Sequence, residues 1–140
     1  MKDPAQCVAE ILNVSPIHDS GWSVIVGALP TSPDTVVLVN HTGGTDPYPH
    51  LLLNFVSVQV MVRGKKSGYV SARAKIGDVV DLLLGMAPAT VQGDLYRNCI
   101  QLGEIGFLGQ DDNTRDLFSA NFRFIVEPAT NALTHRSAIT

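Results

Sequence analysis

The chain has 140 residues, 45% of them hydrophobic and 16% charged, with a formal net charge of −3. That length suits one domain able to bury most of its unfolded surface, and the slight acidity supplies no global attraction to nucleic acid. The first apolar run, CVAEILNV, is broken by Glu10 and too short for a membrane span or a signal peptide.

Asp3 followed by Pro4 predicts a helix start, an N-cap acceptor before the one residue that tolerates the first helical position. Val8, Ile11 and Leu12 then recur at helical spacing, and SPIHDSG ends the element. Trp22–Leu29 (WSVIVGAL) is rich in β-branched residues and reads as a strand stopped by PTSPD, and Thr35–His41 reads as a second. A long Gly/Pro loop is expected from about Thr42 to Leu53. In NFVSVQVMVRG the valines at 56, 58, 60 and 62 alternate with Ser57, Gln59, Met61 and Arg63, which predicts a strand with one buried and one more polar face.

From Gly68 to Leu84 the period changes. Tyr69, Ala72, Ile76, Val79, Val80 and Leu83 form an apolar stripe, with Arg73, Lys75, Asp78 and Asp81 away from it, and Gly85 is placed to end the helix. After the APATVQGD turn, LYRNCIQLGEIGFLG carries three glycines and predicts one bulged or bent strand. In DLFSANFRFIVEP, Phe118, Ala120, Phe122, Phe124 and Val126 alternate with more polar residues until Pro128. The expected organisation is a single domain over residues 1–128, with 129–140 a flexible C-terminal tail. Strands outnumber helices and no βαβ repeat occurs, so the expected class is α+β, one mainly antiparallel β-sheet packed against two α-helices.

Four groups of residues raise the question of chemistry. Asp111, Asp112, Asn113 and Asp116 lack the Gly and terminal Glu of a calcium loop. They lie between two alternating strands, where Asp and Asn favour a hairpin turn. His41 and His50 flank the long loop with Asp46 between them, without the helical spacing of a zinc site. Arg63, Lys65, Lys66, Arg73 and Lys75 put five cations at a strand-to-helix junction, either a solvated connection or a surface facing an acidic protein or passing nucleic acid. Cys7 and Cys99 are far apart and outside metal-ligand spacing, which predicts two reduced packing thiols in an intracellular protein. No nucleophile elbow, P-loop or dinucleotide fingerprint is present.

The valine-rich strand ending in Arg-Gly, the helix ending DLLLGM, the Gly-bent strand and the closing FLGQDDNTRDLFSANFRFIVEP stand in an order that resembles the tail terminator (tail completion, sometimes labelled minor capsid) proteins of long-tailed bacteriophages. The likeness covers about Asp3 to Pro128. It implies a structural virion protein without enzyme activity or cofactor, made in the host cytoplasm and placed at the tail–neck junction. Its members form a ring, typically of six, that caps the head-proximal end of the tail tube and ends tube polymerisation. The ring then meets a head-completion or connector protein, and viral DNA passes through its lumen without sequence-specific binding; no membrane is involved. Closing such a ring needs one patch to meet a different one. The expected contact residues are Asp111, Asp112 and Asp116 on the polar hairpin, Arg63, Lys65 and Lys66 on the basic junction, Arg123 on the polar sheet face, and Tyr48, Leu51 and Leu52 on the long loop. Another head–tail connector or neck protein is the alternative within that class. A small metal-dependent hydrolase using His41, Asp46, His50 and the Asp111–Asp116 cluster is the alternative outside it.

Overall fold

The computed structural model describes residues 1–19 and 21–139; Ser20 and Thr140, which fall in the expected helix-ending stretch and tail, lie outside the described residues. Helix α1 (Pro4–Asn13) starts as its sequence dictates: the Asp3 carboxylate accepts the Ala5 N–H at 3.2 Å and Pro4 takes the first turn. The strands are β1 (Ser23–Val26), β2 (Val36–Thr45) and β3 (Asn54–Lys66), followed by helix α2 (Tyr69–Leu83). Then come β4 (Ala89–Val91), β5 (Asp94–Gln101), β6 (Gly106–Gln110) and β7 (Arg115–Glu127). All seven join one sheet in the order β1-β2-β3-β7-β5-β4, with β6 also on β7. The architecture is α+β with a mixed sheet: β1 runs parallel to β2, and the other pairings are antiparallel.

The two thirteen-residue strands at the centre, β3 and β7, are paired from Asn54↔Val126 to Lys66↔Arg115. Their alternation sorts the side chains. Val56, Val58, Val60 and Val62 lie with Phe118, Ala120, Phe122, Phe124 and Val126 in a core shared with Val8 and Leu12 of α1 and Ile76, Val79 and Leu83 of α2. Each larger side chain buried there contributes about 1.5–3 kcal/mol. A hydrogen bond nets about 1 kcal/mol, so this centre outweighs any contact at the rim. The opposite face, with Ser57, Gln59, Met61, Asn121 and Arg123, stays partly exposed. Both cysteines are buried and unpaired among the described residues. Burial pushes the Cys99 thiol up to about 12 and the Cys7 thiol above its ordinary value, so neither is a reactive thiolate.

Four features depart from the sequence reading, and a fifth, the course of the segment after Pro128, was not legible in it. β2 runs on to Thr45 past an irregularity between His41 and Gly43, so the loop begins at Asp46 rather than Thr42. The expected bent strand is two strands: β5 covers one half of β7 and β6 the other, with the break at Leu102–Ile105, which contains Gly103. The APATVQGD stretch, read as a turn, contains β4. Tyr69 of the helical stripe is half exposed, whereas Lys75 is buried, its ammonium 5.2 Å from the Trp22 ring centre and 3.4 Å from Asp19. The segment after Pro128 returns to the loop before β3: Leu52 N–H donates to the Ser137 carbonyl and Ser137 N–H to the His50 carbonyl, both at 2.8 Å.

Candidate interaction surface

The carboxylate cluster closes the β6–β7 hairpin. One oxygen of Asp111 accepts the N–H groups of Asn113 at 2.9 Å and Arg115 at 3.0 Å, and the other accepts the Arg115 guanidinium at 2.8 Å. The Asp111 N–H donates to the Arg115 carbonyl, and Thr114 takes a positive φ of 58°. Asp111 is therefore spent inside its own turn. Asp116 is buried and accepts from Gln110 at 3.2 Å, so in the folded chain it offers no surface. Of the three acids, Asp112 alone stands exposed, at the tip.

The same end of the sheet holds two buried arginines. Arg63 donates through Nε to the Asp34 carbonyl at 2.9 Å, and through its two terminal nitrogens to the Pro30 and Pro33 carbonyls, each at 2.6 Å. Arg115 reaches the Thr31 carbonyl at 2.7 Å and the Asp34 carboxylate at 3.0 Å. The connection from β1 to β2 must run back from the end of β1 to the start of β2 for these strands to be parallel, and it brings Pro30–Asp34 over Arg63. Its inward carbonyls need donors, and the two guanidinium forks supply them. The five-cation patch is accordingly smaller than its sequence suggests: Arg63 and Lys75 are buried, and Lys65, Lys66 and Arg73 remain exposed.

Burial works to raise the Asp111 carboxyl, but the Arg115 N–H, the Arg115 guanidinium and the Asn113 N–H favour its anion and hold it below the ordinary 3.8. A group depressed in the folded state contributes stability that is full above its unfolded pKa and is lost as pH falls through the folded value. Asp111→Asn is expected to be less stable than the parent at pH 7, with the two converging as the pH falls below the ordinary carboxylate range. Urea titrations across that range read the difference; a gap that stays constant to the acid end would show that charge has no part in the turn.

At the far end of β3 lies the arm, Asp46–Leu53, joining β2 to β3. Tyr48 and Leu51 are exposed and Leu52 is buried, so the expected apolar contact is reduced to the first two. Tyr48 packs near Phe55 with ring centres 6.0 Å apart. Arg123, on the open face of β7, lines a shallow recess with Thr45, Asp46, Tyr48 and Phe55. The arm and the Asp111 hairpin stand at opposite ends of β3, since Asn54 pairs with Val126 and Lys66 with Arg115. At about 3.3 Å per residue the strand separates them by roughly 40 Å. His41, Asp46 and His50 therefore do not meet the Asp111–Asp116 cluster, and among the described residues no group of three or more His, Cys, Asp or Glu side chains is arranged to hold a metal.

Sequence reasoning missed Arg115, Asp34 and Arg136. The spacing of Asp111 and Arg115 across a turn was the one available signal. It also missed the half-exposed aromatic pair Tyr69 and Phe107, 5.3 Å apart at the outer strand β6, because both sit in apolar patterns that read as core.

A family model described as "Bacteriophage tail terminator protein" matches residues 9–128. The chain belongs to the bacteriophage tail terminator protein family. Tail terminators are structural proteins of the phage tail and not a class of enzyme, which places this chain among virion components. A chain from the virion of a native gene transfer agent particle superposes with a TM-score of 0.65 at 16% identity. The match covers 89% of this tail terminator and 94% of that chain, a likeness of fold. A search of curated proteins found no match. In this tail terminator Asp111 serves the turn and Asp112 stands exposed, and the cations beside them divide between clamps and surface.

Proposed function

We propose that this chain assembles into a closed ring, a hexamer, that caps the head-proximal end of the tail tube and ends its polymerisation. The ring then presents the surface to which a head-completion or connector protein joins, and DNA passes through its lumen. The observation that carries the reading is the family match over residues 9–128. The surface is compatible with it. A ring needs a heterologous contact, and the molecule offers unlike surfaces: the half-polar open face of β3 and β7, the exposed Asp112, Lys65 and Lys66 at one end, and Tyr48 and Leu51 at the other.

Light scattering with negative-stain imaging tests the ring. Particles of six subunits with an open centre are expected, and purified tail tubes given the protein are expected to stop elongating. A protein that stays monomeric both alone and on tubes would overturn the reading. Within the ring, Asp112 and the Lys65–Lys66 pair are the rim charges to change, because Asp111 and Arg63 serve the fold. Asp112→Lys is expected to leave the melting temperature unchanged and weaken ring formation about tenfold, the scale of a lost rim charge pair. Unchanged assembly would remove Asp112 from the interface.

A further inference from the structure

The arm's own ties are few. The Tyr48 N–H donates to the Leu53 carbonyl at 3.1 Å and the Leu53 N–H to the Leu51 carbonyl at 2.8 Å. Tyr48 packs near Phe55, and Leu52 is the one buried apolar anchor of an otherwise exposed stretch. What crosses it is the end of the chain. Nη1 of Arg136 donates to the Asn54 side-chain oxygen at 2.8 Å and, through its second hydrogen, is shared between the Tyr48 carbonyl at 3.2 Å and the Leu51 carbonyl at 3.3 Å. Beside it, Ser137 and Leu51 form a parallel bridge, with the backbone bonds from Leu52 to Ser137 and from Ser137 to His50.

We propose that Thr134–Ile139 is a releasable strap that fixes the arm in one conformation, with Arg136 as its latch. Fixing follows from geometry. The arm's two sides are joined by the Tyr48–Leu53 backbone bond, and the Arg136 guanidinium ties both of them to Asn54, the first residue of β3, so the arm cannot swing as a unit while the latch is closed. Releasability follows from burial. Residues 129–139 include no buried side chain, and the leader Ala129–Leu133 is exposed throughout, so polar contacts alone hold the strap. Such contacts open locally, well below the free energy of global unfolding. The strap and arm therefore form one local unit, closed in the free chain and able to open without disturbing β3 and β7. A partner that grips Tyr48 and Leu51 meets a pre-ordered arm while the strap is closed. The inference concerns the free chain and stands whether or not the arm contacts a tail tube.

Amide hydrogen exchange on the full chain tests it. In the parent, the Leu52 and Ser137 amides are expected to exchange at rates set by one shared opening. Arg136→Ala is expected to accelerate both by about tenfold, the scale of losing two charge-assisted hydrogen bonds, one of them shared. The Val58 and Phe122 amides, in the centre of the sheet, are expected to keep their protection. Ser137→Pro, which removes the donor to the His50 carbonyl, gives a second route to the same opening at Leu52. If Leu52 keeps its protection in both variants, Leu52 anchors the arm by itself and the strap does not hold it. If Val58 and Phe122 lose protection equally, the segment is part of the global fold and is not releasable.

Discussion

Arg63→Ala is expected to lower the unfolding free energy by about 3–5 kcal/mol, the range for breaking a buried hydrogen-bonded charge. Its guanidinium makes three bonds to the Pro30, Pro33 and Asp34 carbonyls, and the residue is 2% exposed. Removing the side chain leaves carbonyls that face the sheet with no donor, and water must enter to serve them. Against a total stability of about 5–15 kcal/mol, a loss of this size is visible as a large shift of the urea midpoint. Arg63→Met keeps much of the stem and none of the donors, so it is expected to lose nearly as much. Arg63→Lys, with one compact ammonium in place of a fork, is expected to fall between. Equal stability of the methionine variant and the parent would mean that the stem's packing, and not its bonds, holds the β1–β2 connection. Because β1 pairs with β2 along only four residues, Ser23–Val26, its amides are expected to lose exchange protection first in the alanine variant.

Arg63 also shows where sequence and structure part company. Its place among the odd residues of β3 was legible from the alternation of four valines, and β3 and β7 lie as that alternation implied. The start of α1 was legible from Asp3-Pro4, and most of the α2 stripe from its spacing. What alternation cannot report is whether something lies on the second face. Over Arg63 lies the Pro30–Asp34 connection, twenty-nine to thirty-three positions away in the chain, so a residue expected at the rim is buried. Asp116 and Leu52 are buried as well, Asp116 against Gln110 across its own hairpin and Leu52 beside Ser137, burial that alternation alone does not report. The parallel β1–β2 pair was hidden because its connection is held by distant arginines and has no helix to announce it. The division of the glycine-bent stretch into β5 and β6 could not be read from the glycines alone, because it depends on both halves finding the same edge of β7. The strap was hidden because polar residues after a proline carry the same composition whether they dock or not.

Gly44→Ala is expected to cost about 3–5 kcal/mol, combining a strained backbone with an overpacked contact. Gly44 lies opposite Val56 just beyond the irregularity in β2, with a φ of +139°. A Cβ added there would stand 2.1 Å from the Phe55 carbonyl oxygen and 3.0 Å from the Val56 Cα. Both are backbone atoms of a central strand, so β2 must move. Gly43 provides the comparison: its φ is +106°, but a Cβ there would meet nothing within 4 Å. Gly43→Ala is therefore expected to cost only the conformational strain, about 1–2 kcal/mol. Thermal and urea unfolding of the two variants separate the contact from the strain. The consequence reaches the arm, because Gly44↔Val56 and Thr45↔Phe55 are the pairs that tether its base to the sheet. Gly44→Ala should loosen Tyr48 from Phe55 and speed exchange at Leu52 at temperatures where Phe122 is still protected. Were Gly43→Ala and Gly44→Ala to cost the same, the end of β2 would have room to swing away from β3, and the arm's position would not depend on that tether.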